Sequence, residues 1–172
     1  MIINYNMRVI GIDPGTARTG WGVIEFNHGT LKPVDFGYIK TTPEQSNEDR
    51  LRKVYEDLLV VIKDMTPDVM AIEKLFFNIN VKTALSVGQA RGVCLLAASV
   101  SELPTYEYNT SEVKNVITGY GRAAKSEVAS KVTELLRLVA TPKPDDVTDA
   151  LAIAATHIIL EGTSENHESS CD

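Results

Sequence analysis

The first forty residues confine the fold more tightly than any later stretch, because they hold three strand-like segments with no room for a crossover between them. Residues 8–13 (RVIGID) are apolar up to a terminal Asp13. After the turn sequence PGTARTG, residues 21–26 (WGVIEF) read as a second strand, and His28-Gly29 turns the chain into the alternating residues 31–40. Strands joined by links this short pair antiparallel, since a parallel return needs a dozen or more residues. The sheet therefore opens as a meander.

From residue 44 the pattern changes to alternation. Leu51, Val54, Tyr55, Leu58, Val61 and Ile62 recur at helical spacing within residues 44–65, and Pro67 stops that helix before a strand at 69–73 (VMAIE). A helix is predicted over 81–101. Its small residues, Ala84, Gly88, Ala90, Gly92, Ala97 and Ala98, let another helix approach closely, within the chain or across a dimer. A fifth strand follows at 104–108, then a short helix at 111–118 capped by Thr110 or Ser111. After a break at GYG (119–121) a helix is expected over 125–139. The last helix runs from Asp145 or Asp146 to about Leu160. Three strands followed by alternating strands and helices predict an α/β fold, a mixed five-stranded sheet flanked by helices on both faces. At 172 residues this is one domain, 1–160, with 1–6 as an N-terminal extension and 161–172 as an acidic, disordered tail.

Carboxylates end two of the apolar strands. Asp13 stands before Pro14-Gly15, and Glu73 closes VMAIE, where a buried charge is costly unless paired, metal-bound or facing a cleft. Asp146 and Asp149, three residues apart, share one face of a first helical turn. Each has a plain structural use: Asp13 can cap a turn, Glu73 can pair with Lys74, and Asp145 can cap the final helix. Three acids at one helix start exceed what capping needs. Hard oxygen donors without a Cys or His cluster suit Mg²⁺ or Mn²⁺. Two such ions roughly 4 Å apart serve phosphodiester hydrolysis.

A net charge of −6 argues against a nucleic-acid partner at first sight. However, residues 161–172 carry Glu161, Glu165, Glu168 and Asp172 and no Lys or Arg, so the body alone holds −2. Two divalent ions would bring it to about +2. Basic residues gather in 111–143, where Lys114, Arg122, Lys125, Lys131, Arg137 and Lys143 outnumber Glu112, Glu127 and Glu134 by three. That stretch is the best candidate for phosphate contacts, and Lys131 and Arg137 have no assigned role in it. His157, far along an apolar helix, reads as a packed or partner-facing histidine. Cys94 and Cys171 form no disulfide framework, and with no signal peptide or membrane span a cytoplasmic protein is expected.

GIDPGTARTGWGV, AIEKLFF, GQARG and DDVTDALAIA occur in an order and spacing that resemble the RuvC family of Holliday-junction resolvases, from about residue 8 to 160. The resemblance implies an RNase H-like nuclease domain and a homodimer that makes paired, symmetric nicks in four-way junction DNA. Its implied cofactor is Mg²⁺, two ions per subunit with Mn²⁺ a possible substitute, and its implied partner is a RuvA–RuvB branch-migration complex. Catalytic and metal-holding roles then fall to Asp13, Glu73, Asp146 and Asp149, with Asp145 outside the motif as a helix cap. Phe76 matches the family's aromatic after the catalytic strand, which wedges against a base, while Phe77 reads as core. Lys114 and Lys125 match basic positions of the family, and Arg122 joins them as a candidate DNA contact. Two other readings fit parts of the pattern. One is an actin-like sugar-kinase or ATPase domain, whose phosphate hairpin follows a similar D-x-G-T pattern, and the other a non-catalytic junction binder.

Overall fold

The computed structural model describes residues 6–74 and 81–168. Its elements are β1 (Met7–Asp13), β2 (Arg18–Asn27), β3 (Thr30–Lys40), α1 (Asn47–Met65), β4 (Val69–Glu73), α2 (Val81–Val100), β5 (Thr105–Tyr108), α3 (Thr110–Thr118), α4 (Lys125–Leu135) and α5 (Asp145–Glu168). The five strands lie in the order β3-β2-β1-β4-β5. β1–β2 and β2–β3 pair antiparallel, while β1–β4 and β4–β5 pair parallel. The opening meander and the mixed sheet are as the sequence predicts.

Alternation along β1 and β4 divides the core into two layers. Ile10, Ile12, Met70 and Ile72 pack with Val54, Leu58 and Ile62 of α1 and Cys94, Ala97 and Ala98 of α2. Val9 and Ala71 face the other way, against Leu151, Ala154 and Ala155 of α5, with α3 and α4 contributing Val113, Val128 and Val132. Helices thus cover both faces. No helix among the described residues is long and apolar enough to cross a membrane.

Three helix ends depart from the sequence expectation. Asn109, not Thr110 or Ser111, caps α3 through a reciprocal pair with Glu112, leaving the Thr110 hydroxyl free for another partner. α4 stops at Leu135 rather than 139, because Arg137 takes a φ of 52°. The Arg137 and Leu138 amides turn back to the carbonyls of Glu134 and Thr133, and Leu136 and Leu138 still reach the core from outside the helix. α5 continues to Glu168 instead of ending near Leu160, so the polar segment 161–168 extends the helix.

A carboxylate cleft as the candidate active site

Asp13 and Glu73 sit at the carboxyl ends of adjacent parallel strands, one residue past the paired Ile12 and Ile72. Both share the strand parity of Val9 and Ala71, so both project toward α5. Glycines bring that helix down onto the sheet. A Cβ on Gly11 would lie 2.0 Å from the Ala150 carbonyl oxygen, and one on Gly20 would lie 2.0 Å from that of Asp146. With no side chains there, the first turn of α5 rests directly on β2 and presents Asp146 and Asp149 beside the two strand-end acids.

Charge crowding in this cleft is severe. Burial, followed by the charges of Glu73, Asp149 and Asp146, pushes the Asp13 pKa up to about 8, with Lys125 opposing. Burial likewise raises Asp149, against a hydrogen bond and charge from Lys125. Around Asp13 each acid holds its own partner. Asp146 pairs with Arg18 Nε at 3.2 Å, Asp149 with Lys125 Nζ at 2.7 Å, and Glu73 Oε1 accepts from the Thr110 hydroxyl at 2.6 Å. Partial burial works to lower the Lys125 pKa, but its hydrogen bond and attraction to Asp149, with Asp145 and Asp13 behind, outweigh this and raise it.

With those partners engaged, no three acidic, His or Cys side chains among the described residues are drawn together closely enough to hold one ion. The donor set nonetheless suits a hard divalent cation. All four groups are carboxylates, and beyond the burial that chiefly lifts Asp13, the repulsion among them is what bound positive charge would relieve. Asp145 lies outside this set. It occupies the first turn of α5 as a helix residue, its exposed carboxylate accepting from Lys143 Nζ at 2.9 Å, and that bond and the Lys143 charge lower its pKa. It therefore complements the helix dipole from within rather than capping it, correcting the sequence expectation.

A cleft of roughly 190 Å³ is lined by Glu73, Asp149, Lys114, Lys125 and Thr110 together with the apolar Val113, Val128, Ala152 and Ile153. Four predicted residues thus meet in one place. Arg122 is exposed in the α3–α4 link and does not line it. Phe76 and Phe77 lie outside the described residues. Sequence reasoning missed Thr110, whose freedom follows from the Asn-x-x-Glu capping box at 109–112. It also left unassigned Arg91, in the quoted GQARG, which donates to the Glu73 carbonyl at 3.1 Å and pairs with Glu107, tying the ends of β4 and β5 together. Arg18 was missed as well; only its partner Asp146 was visible in the pattern. The Asp13 turn is itself held, by Thr19 to the Gly15 carbonyl at 2.8 Å and Thr16 to the Ser86 carbonyl at 2.9 Å.

His157 braces the far side of this layer and gives it a pH dependence. It is 1 % exposed, accepts or donates at Nδ1 with the Tyr108 hydroxyl at 2.7 Å, and meets the Tyr106 ring at a centroid distance of 4.4 Å and a tilt of 42°. Burial lowers its pKa below the ordinary 6.5, with Glu161 opposing. The unfolded chain therefore binds this proton more readily than the folded one. Stability from neutral His157 is full above pH 6.5 and falls as pH drops below it, until the folded imidazole is itself protonated. Between pH 7.5 and 5, thermal melts of the wild type should lose more midpoint temperature than those of His157→Gln; parallel slopes would remove His157 as the source.

The comparisons with known proteins agree with this geometry. Residues 9–157 match the family model described as crossover junction endodeoxyribonuclease RuvC. A curated protein of that name from Desulforamulus reducens is 50 % identical over 151 residues, covering 88 % of this chain and 93 % of its own. The Thermus thermophilus RuvC solved in complex with a Holliday junction substrate is 34 % identical with a TM-score of 0.87, over 92 % of this chain and 96 % of that one. The yeast mitochondrial Holliday junction resolvase shares the fold, with a TM-score of 0.71 at 11 % identity over 98 % of this chain and 85 % of that one. On the extent of these matches, the chain belongs to the RuvC family of crossover junction endodeoxyribonucleases.

Proposed function

We propose that this protein resolves four-way DNA junctions by paired, symmetric hydrolysis of phosphodiesters during recombination and repair, with Asp13, Glu73, Asp146 and Asp149 as the metal-holding catalytic groups. The observation that carries the site assignment is the convergence of Asp13 and Glu73, at the ends of adjacent parallel strands, with Asp146 and Asp149 on the first turns of α5, which Gly20 seats on the sheet. Its relatives' activity and the junction-bound Thermus structure support the substrate. The same family assignment sets aside the sugar-kinase reading. Those four carboxylates would hold two Mg²⁺ per subunit, with Mn²⁺ able to substitute, and the ions when bound would supply charge neutralisation and activation of the attacking water.

The chain's own residues orient and exchange. Arg18 and Thr110 hold Asp146 and Glu73 in place before substrate arrives. Lys125, 59 % exposed on its side chain, can release Asp149 and meet a phosphate, with Lys114 beside it in the cleft. Arg122 joins them from the exposed link, and Phe76 acts as the wedge at the branch. We assign this work to the cytoplasm, beside a RuvA–RuvB complex.

Dimerisation through α2 completes the proposal, since a two-fold enzyme presents two equivalent sites to a two-fold substrate. Ala90, Cys94, Ala97 and Ala98 are buried within the chain, whereas Leu85, Leu96 and Val100 stand 64 %, 53 % and 58 % exposed. Exposed Gly92 falls on the stripe of Leu85 and Leu96, and a Cβ there meets nothing within the chain. A second helix fits that opening. Gly92→Arg should convert dimer to monomer by light scattering while far-ultraviolet circular dichroism stays that of the wild type, with the melting temperature losing its dependence on protein concentration; a persisting dimer would place the interface elsewhere.

The decisive experiment incubates purified protein with a labelled four-way junction and Mg²⁺, with linear duplex and ATP as comparisons. Symmetric nicks confined to the junction are expected. Tight binding without nicks would favour an inert junction binder. Independently of DNA, Mg²⁺ or Mn²⁺ should raise the melting temperature of the wild type but not of Asp13→Asn.

A further inference from the structure

We propose that the exposed margin of β3, carrying Lys40, Tyr38 and Phe36, is a DNA-tracking strip that continues the active site and holds the strand flanking the scissile phosphate. The proposal rests on the junction-cleaving reading above and extends its substrate surface. Arg18 pairs across the sheet with Lys40, Gly20 with Tyr38, and Gly22 with Phe36. Residues directly opposite in an antiparallel pair project from the same face. That face is the one α5 occupies, because a Cβ on Gly20 would strike Asp146 and one on Gly22 would strike Leu151. Tyr38 and Phe36 therefore flank the start of α5, and Lys40 stands next to the arginine that holds Asp146.

α5 stops short of covering these residues. Tyr38 is 43 % and Phe36 36 % exposed, and two neighbouring exposed aromatics on an edge strand mark a surface made to meet something. Lys40 is exposed and enters no ion pair among the described residues. A lysine free to take a phosphate, two rings able to stack on bases or sugars, and continuity with the catalytic acids together fit nucleic acid. The strip is roughly 14 Å long from Lys40 to Phe36, enough to accompany several nucleotides. A second copy of the chain could cover the two rings but would have to place an acid against Lys40, whereas a nucleic-acid strand carries phosphate and stacking bases together.

The test measures junction binding by fluorescence anisotropy without divalent cations, across a range of salt, for wild type, Lys40→Gln, Tyr38→Ala and the double variant Tyr38→Ala/Phe36→Ala. All three positions are exposed, and thermal melts confirm that each variant folds. Lys40→Gln should reduce the slope of log affinity against log salt by about one. Tyr38→Ala should weaken binding at least about five-fold, with the salt slope unchanged, and the double variant should weaken it further. Ultraviolet crosslinking from bromouracil-substituted strands should map to Tyr38 or Phe36. Unchanged affinity in all variants, or a change in oligomeric state in place of affinity, would overturn the strip. Nicking by the wild type is scored separately in Mg²⁺. Failure to nick with the binding changes present defeats the catalytic reading alone, normal nicking without those changes defeats the strip alone, and failure to bind junctions at all defeats both.

Discussion

Asp146→Asn should eliminate junction nicking while Asp145→Asn leaves it near the wild-type rate, although the two residues are adjacent and chemically identical. The difference lies in the surface under each. Asp146 rests over Gly20, faces Arg18 at 3.2 Å and contributes to the repulsion that lifts Asp13. Asp145 is exposed and bonds Lys143 at 2.9 Å, with Lys125 a more distant neighbour at 3.9 Å, and it is not among the charges that act on Asp13. Losing a carboxylate that holds metal removes several kcal/mol of transition-state charge stabilisation, a rate loss on the order of 10³-fold or more. Without divalent ions, binding should survive in both variants, because removing a negative charge near phosphate does not weaken attraction to DNA. The measurement is single-turnover nicking of a saturated junction, with anisotropy for binding. Normal cutting by Asp146→Asn with loss in Asp145→Asn would reverse the assignment.

Much of this site was legible because its chemistry interrupts periodic patterns. Asp13 and Glu73 end strands that are otherwise apolar, and Asp146 and Asp149 fall on one helical face, so the acids stand out before any fold is known. Composition was the weaker guide, since −6 says nothing of where the acids gather. The supporting groups were harder to read. Thr110 looked like a cap until Asn109 took that role, and Arg18 and Arg91 act across strand pairings that exist only after the sheet has assembled. The end of α4 misled for a related reason. LLRLV keeps an apolar rhythm, but Leu136 and Leu138 satisfy it from a left-handed turn at Arg137. Periodicity reports which residues are buried, not which backbone carries them there.

The glycines tie fold to chemistry most directly, and Gly20→Ala tests that tie. A single methyl at residue 20 would lie 2.0 Å from the Asp146 carbonyl oxygen and 2.4 Å from its carbon, both backbone atoms that cannot swing aside. Either β2 yields or the first turn of α5 lifts, and overpacking of this kind costs about 1–3 kcal/mol. For a chain of this length that lowers the melting temperature by roughly 2–4 °C per kcal/mol. Catalysis should suffer more than stability, because a displacement of about 1 Å at a catalytic group can cost 10²-fold. Gly11→Ala makes the informative contrast. Its methyl would meet Ala150 oxygen at 2.0 Å and Ala154 nitrogen at 2.8 Å, one to two turns farther along α5, so it should destabilise at least as much while disturbing Asp146 less directly. Nicking per folded molecule, measured well below each variant's melting temperature, should therefore fall further in Gly20→Ala than in Gly11→Ala. Equal nicking in the two would mean that α5 moves as one rigid body, and wild-type behaviour in Gly20→Ala would show that the helix is not seated on that glycine.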